Sequence, residues 1–173
     1  GLEVLIEAFF ILKKNPDFKN LKLKLTGGMT KKDEKYIKTI KKILKEKNYQ
    51  NDVEIIHPFN QKSLDNFFST LTILSVPSKH SEAFGLFILE SLAYGIPVIQ
   101  PNTGSYPEII NITNGGITYS PNTPGELAKE IAKLLDSKDK LTMMSNEGYQ
   151  MVKKHFDINK IAKDLISIYQ KTL

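Results

Sequence analysis

The sequence predicts a doubly wound α/β domain, a parallel sheet with helices on both faces, from three observations. Short apolar runs of strand length recur along the 173 residues. Segments of helical periodicity, roughly 10–15 residues each, separate them. Gly, Pro and Asn fall at the joins. Buried strands joined by helical crossovers form βαβ units and therefore a parallel sheet.

The elements follow in order. "LEVLIEAFFILKKN" places Leu2, Leu5, Ile6, Phe9, Phe10 and Leu12 at helical spacing with no N-cap before them. The chain therefore reads as a single domain over residues 1–173, cut from a longer protein. Pro16 breaks the helix, and "LKLKLT" (Leu21 to Thr26) alternates as a strand running into the tight loop Gly27-Gly28. Thr30 to Asn48 is an amphipathic helix with Ile37, Ile40, Ile43 and Leu44 on one face. "VEII" is a short strand ending at His57-Pro58, and "QKSLDNFFST" a helix with Leu64, Phe67 and Phe68 inward. "TILSVP" (Thr72 to Pro77) reads as a continuous buried strand, followed by a helix from Phe84 to Tyr94 closed by Gly95. "PVIQP" and "GGITYS" are strands with the short helix "YPEIIN" between them. Helices Pro124 to Leu135, Lys138 to Lys154 and Asp157 to Leu173 complete the chain.

Composition narrows the function. The net charge is +5, every basic residue is Lys, and there is no Cys. Without Cys there is no disulfide framework or zinc–thiolate site. Without Arg, the bidentate contacts of nucleic-acid recognition are missing. No apolar run reaches the roughly 20 residues that span a bilayer, and no signal-peptide pattern opens the chain. The expectation is a cytoplasmic protein. Helix 30–48 carries eight Lys against three acids. That face reads either as a solvated cover or as a peripheral contact with anionic lipid. The histidines His57, His80 and His155 lie far apart, and no cluster has metal-ligand or Ser-His-Asp spacing.

In such sheets ligands bind at the carboxyl ends of strands. The loop after Thr72–Pro77 is "SKHSEAFG", and it leads into a helix whose first N–H groups lack intrahelical partners. With the helix dipole these N–H groups suit an anion such as phosphate. Gly85 would let a ligand approach the backbone. Glu90 lies eight positions after Glu82, inside "LFILESLAYG" and on the face of Leu86, while Leu89, Leu92 and Ala93 take the core side. A buried carboxylate needs donors, and ribose hydroxyls would serve. On spacing alone, two solvated glutamates are the favoured reading.

The run "PSKHSEAFGLFILESLAYGIPVIQPNTGSYPEII" resembles the signature of the family 4 retaining glycosyltransferases of GT-B fold. Its marks are Glu82, Phe84-Gly85-Leu86, Glu90, Ala93 to Val98, and Gly104 to Glu108. "LKLTGG", "LDNFFSTLTILSVPS" and the closing "LISIYQKTL" are similar to other parts of the family. The resemblance implies a Rossmann-like half of a two-domain fold, the C-terminal donor-binding half, with the acceptor on an absent N-terminal domain. It implies that Glu90 binds the donor ribose and that Glu82 contacts the sugar hydroxyls near the reacting carbon as the catalytic Glu. The amides of Phe84, Gly85 and Leu86 would hold sugar and diphosphate. Gly27 and Gly28 would border the pocket, and His57, Pro58 and Phe59 would lie against the base, although the family's Gly near His57 or Pro58 is missing. The donor would be a UDP-, GDP- or ADP-sugar, with no metal or other cofactor. The full enzyme would be a hexosyltransferase of polysaccharide, lipopolysaccharide or glycolipid synthesis. The family's Arg and Lys for the leaving diphosphate precede the residue matching Gly1, so this chain alone is expected to be inactive. A nucleotide-sugar-binding module without catalysis, and a nucleotide-sugar epimerase of the same fold, are the alternatives.

Overall fold

The computed structural model of the protein describes residues 1–28, 30–56 and 60–172. They pack as two compact units, one of Gly1–Ala8 with the chain from Thr72 onward, the other of Phe9–Leu71. Helix α1 (Leu2–Lys13) contributes to both. It is apolar nearly all round, and Val4, Ile6, Ala8, Phe9, Phe10 and Leu12 are buried.

In the Phe9–Leu71 unit, β1 (Leu23–Thr26) pairs in parallel with β2 (Val53–Ile56), Leu23 opposite Val53. The strand expected from Leu21 begins two residues later, at Leu23, and the Lys22 side chain pairs with Asp52. The crossover α2 (Asp33–Glu46) buries Ile40 and Leu44. It starts three residues later than expected, where Asp33 accepts hydrogen bonds from the Thr30 N–H (2.9 Å) and hydroxyl (2.7 Å). Asn48 at φ 60° ends the helix and returns Tyr49 to stack on Phe10, ring centroids 5.5 Å apart. Lys13 is buried between the rings of Phe9 and Tyr49 (5.9 and 5.8 Å), with Nζ 2.9 Å from Asp52. Hydrogen bonds from Lys22 and Lys13 hold the Asp52 carboxyl below its ordinary range. α3 (Gln61–Ser69) is opened by an Asn60–Ser63 capping box and buries Phe67 and Phe68.

In the other unit, β3 (Val98–Pro101) pairs in parallel with β4 (Gly116–Tyr119), Val98 opposite Gly116. All four residues of β3 are buried, as a strand covered on both faces requires. α4 (Leu86–Ala93), α5 (Tyr106–Thr113), α6 (Pro124–Leu135), α7 (Lys138–His155) and α8 (Ile158–Thr172) complete it. The last three match expectation to within two residues.

Segment Thr72–Pro77 departs from the continuous strand expected of it. Only Leu74 bridges, giving its N–H to the Pro97 carbonyl (3.0 Å) and accepting from the Ile99 N–H (2.9 Å). The next rung would need an N–H from Pro101, which has none. The Val76 carbonyl accepts instead from the Ser78 N–H (2.7 Å), and the Val76 N–H goes to the Gln100 side chain (3.0 Å). Proline thus stops the ladder where the chain turns out into the loop of interest.

Candidate functional site

The loop leaves the sheet at Pro77 under firm restraint. The Asn122 amide donates to the Ser78 carbonyl (2.9 Å), and the Tyr119 hydroxyl donates to Asn122 Oδ1 (2.8 Å). Burial pushes the Tyr119 hydroxyl's pKa up, so it stays a donor. The N-terminal end of α1 abuts the same loop, since a Cβ on Gly1 would lie 2.0 Å from the Pro77 carbonyl oxygen. Lys79 binds Glu3 at 2.8 Å.

Glu82 is held by its backbone. Gly104, at φ +57°, packs so closely that a Cβ there would stand 2.5 Å from the Glu82 oxygen and 2.8 Å from its nitrogen. The Ser105 N–H donates to the Glu82 carbonyl (3.1 Å), and the Ser105 hydroxyl to the Phe84 carbonyl (2.7 Å). Ser81 and Thr103 hydroxyls meet at 3.2 Å. Loop 81–85 is therefore clamped to loop 103–106, while the Glu82 side chain is exposed. Among the described residues its carboxylate makes no hydrogen bond or ion pair.

Helix α4 begins at Leu86, two residues later than expected, because Gly85 is its N-cap in the left-handed region at φ +81°. This also corrects the reason for the glycine. A Cβ there would meet the Tyr106 ring at 3.1 Å, so the space is filled by the protein and not reserved for a ligand. No side chain caps the helix; the Ile88 N–H donates to the Gly85 carbonyl (2.9 Å), which leaves the Leu86 and Phe87 N–H groups open beside exposed Phe84 and Leu86. Glu90 is half-buried on the Leu86 face. Leu89 and Leu92 are buried as expected, but Ala93 is exposed and lies on the Glu90 side. Ile88 takes the core place, being fully buried.

Beneath the loop lies Tyr106, fully buried and edge-on to Phe87 at 5.8 Å. Its hydroxyl has no hydrogen-bond partner; Ser78 is near enough to influence it but not in bonding geometry. Burial, then the Glu82 charge, raises its pKa. An unpaired buried hydroxyl costs about 1–3 kcal/mol.

The structure thus brings Glu82, Phe84, Gly85, Leu86 and Glu90 together in one unit. Gly27 and Gly28 belong to the other, after β1, where a Cβ on either would meet nothing within 4 Å. His57, Pro58 and Phe59 lie outside the described residues. His80 is exposed, and His155 ends α7. Among the described residues no three His, Asp or Glu side chains gather as metal ligands. Sequence reasoning pointed to the loop Asn102 to Ser105 but gave no role to Tyr106, Tyr119 or Asn122. A polar Gln100 inside "PVIQP" was a readable sign that a strand was being completed by a side chain.

Comparison with known proteins gives this geometry a family. The profile of the glycosyl transferases group 1 matches residues 1–151. The glycosyltransferase MJ1178 of Methanocaldococcus jannaschii is 28% identical over 99% of this chain, which spans 44% of that protein's length. The crystal structure of Anabaena HepE with UDP superposes with a TM-score of 0.85 at 19% identity, over 99% of this chain and 45% of that one. The C-terminal domain of the Francisella tularensis group 1 protein LpcC does so with 0.79 at 23% identity, over 91% and 80%. The chain therefore has the parallel α/β architecture of one half of a GT-B fold, and spans under half the length of MJ1178. It belongs to the glycosyl transferases group 1 family.

Proposed function

We propose that this chain binds the nucleotide-diphosphate sugar donor of a retaining glycosyltransferase. The observation that carries the reading is the arrangement at the start of α4. Open N–H groups stand beside a backbone-clamped Glu82, and Glu90 follows on the same exposed helix face. A diphosphate fits the N–H groups and the dipole behind them. Ribose hydroxyls fit the half-buried Glu90, and the sugar's hydroxyls fit Glu82 near the reacting carbon. Gly27 and Gly28 are assigned to the donor, and His57, Pro58 and Phe59 to its base, by the family resemblance alone. The solved relatives named above include one in complex with UDP, which supports a nucleotide ligand.

The full-length protein is assigned sugar transfer with retention, as a hexosyltransferase acting on a polysaccharide, lipopolysaccharide or glycolipid acceptor. No step is assigned to a metal. The chain alone is not expected to transfer sugar, because it contains no Arg to stabilise the leaving diphosphate. Titration of the purified chain with UDP, GDP, ADP and their sugars by calorimetry tests the reading. One nucleotide should be preferred, and Glu90→Ala should weaken it about tenfold or more with the fold intact. Binding of none of them, or an unchanged affinity in Glu90→Ala, would refute it.

A further inference from the structure

The two loops that hold Glu82 leave neighbouring segments of chain, and Gln100 ties those segments together where the loops begin. Leu74 makes an ordinary parallel rung, donating to the Pro97 carbonyl (3.0 Å) and accepting from the Ile99 N–H (2.9 Å). A regular ladder would next give the Val76 N–H to the Ile99 carbonyl, and the Val76 carbonyl would accept from an N–H at position 101. Pro101 has no N–H. The Val76 N–H goes instead to Gln100 Oε1 (3.0 Å), and the Val76 carbonyl accepts from the Ser78 N–H (2.7 Å). That turn places Ser78 where the Asn122 amide reaches its carbonyl (2.9 Å) and where its own hydroxyl reaches the His80 carbonyl (2.8 Å). Glu82 follows shortly after. On the other side, β3 runs past Pro101 into loop 103–106, whose Gly104 and Ser105 grip the Glu82 backbone.

Stability does not ask for this pair of residues. Gln100 and Pro101 are both fully buried, and Gln100 Nε2 has no hydrogen-bond partner among the described residues. An apolar residue at position 100 and an N–H at position 101 would continue the ladder through backbone bonds and leave no such donor unmet. The chain would then stay on the sheet for one more rung, roughly 6–7 Å, before turning out. Breaks of a local rule that bring no stability are expected at functional sites.

We propose that Gln100 and Pro101 are positioning residues for the donor site: the proline withholds the bond that would keep Val76 on the ladder, and the glutamine amide holds the Val76 N–H in its place, so that the loop carrying Glu82 leaves the sheet one rung early. This rests on the nucleotide-sugar reading of the site. The effect falls on the sugar more than on the nucleotide, because Glu82 is the sugar-facing end and Glu90 is placed by α4.

Wild type, Gln100→Met, Pro101→Val and the double variant of the purified chain are titrated by calorimetry with UDP and UDP-glucose, GDP and GDP-mannose, and ADP and ADP-glucose. Each is also melted and followed by amide hydrogen exchange. Met keeps the length of Gln without its acceptor, and Val keeps the side-chain carbon count of Pro while supplying an N–H. For whichever pair of ligands binds, each single variant should lower the extra affinity for the sugar nucleotide about fivefold or more and leave the nucleotide diphosphate affinity within about twofold. The double variant can complete the ladder. It should melt no lower than Gln100→Met and protect the amide at position 101, yet bind the sugar nucleotide no better than either single variant. A merely structural role would make affinity follow melting temperature instead. Recovery of wild-type sugar-nucleotide affinity in the double variant, wild-type affinity in both single variants, or equal loss for nucleotide and sugar nucleotide would each overturn the proposal and leave the nucleotide-sugar reading intact. If Gln100→Met does not fold, Pro101→Val carries the test, and unchanged sugar-nucleotide affinity there overturns the proposal. Absence of any binding by wild type would overturn both.

Discussion

Replacing Gly104 by Ala tests whether the clamp on Glu82 is as rigid as its geometry implies. Two costs add. A non-glycine residue in the left-handed region loses roughly 1–2 kcal/mol. The new Cβ would stand 2.5 Å from the Glu82 oxygen and 2.8 Å from its nitrogen, against backbone that no rotamer change can move. Overpacking of that kind costs about 1–3 kcal/mol. The sum, about 2–5 kcal/mol, corresponds to a melting temperature lower by roughly 5–15 °C in a chain of this size. Gly85→Ala is the internal reference. It carries the same conformational cost at φ +81°, but its nearest neighbour is a side-chain ring at 3.1 Å. About 1–2 kcal/mol is expected there. Gly125→Ala, in α6 with nothing within 4 Å, should stabilise by about 0.5–1 kcal/mol. Thermal melts followed by circular dichroism rank the three. If Gly104→Ala melts no lower than Gly85→Ala, loop 81–85 yields easily and the clamp is not what positions Glu82. Where Gly104→Ala remains folded, Glu82 must shift by about 1 Å, a displacement that costs binding of a sugar nucleotide more than binding of the nucleotide.

Asn122→Ala removes both amide contacts on the Pro77–Ser78 turn and leaves the buried Tyr119 hydroxyl unpaired. It should cost about 2–3 kcal/mol, against about 1 kcal/mol for Tyr119→Phe, whose partner Asn122 can turn to water. Equal melting temperatures for the two variants would refute that order. The hydrogen bond from Lys79 holds the Glu3 carboxyl at about 2, below its ordinary 4.5. Its contribution is therefore present above pH 4.5 and lost as the pH falls towards 2, a loss that Glu3→Gln should abolish in melts taken across that range; an unchanged pH slope in the variant would count against the pairing. The α2 lysines Lys35, Lys38, Lys41, Lys42 and Lys45 are exposed, with Lys42 weakly paired to Glu46 at 3.8 Å. As a solvated face they should retain the chain no better on anionic than on neutral vesicles at about 0.15 M salt, and selective retention on anionic vesicles would favour the lipid reading instead.

Much of the fold was readable because it rests on periodicity. α6 and α7 carry amphipathic spacing and begin after Thr123 and Ser137, so their bounds could be set closely. What was not readable depends on neighbours distant in the chain. Thr72–Pro77 reads as a strand, and only the partner's Pro101 shows why its ladder ends after Leu74. Nothing along the chain marks Lys13, yet two aromatic rings and Asp52 bury it. Gly85 reads as room for a ligand, and only Tyr106 shows that the room is taken.

The same point applies within the signature. Read along the chain, Glu82, Glu90, Gly104 and Glu108 are separate marks at fixed spacings. In the fold, Gly104 and Glu82 are one mark. The glycine is needed because its missing Cβ is where the Glu82 backbone lies, and Ser105 beside it bonds to both Glu82 and Phe84. Glu108 does something else: it is exposed in the first turn of α5, where a carboxylate favours the helix N-terminus. Glu90 is placed by helix geometry alone, about one turn from the Leu86 end of α4, and among the described residues no hydrogen bond or ion pair joins its side chain to loop 103–106. A substitution in loop 103–106 should therefore act on the Glu82 end of the site and spare the Glu90 end. That asymmetry separates a clamp from a general loss of structure, which would weaken both ends alike.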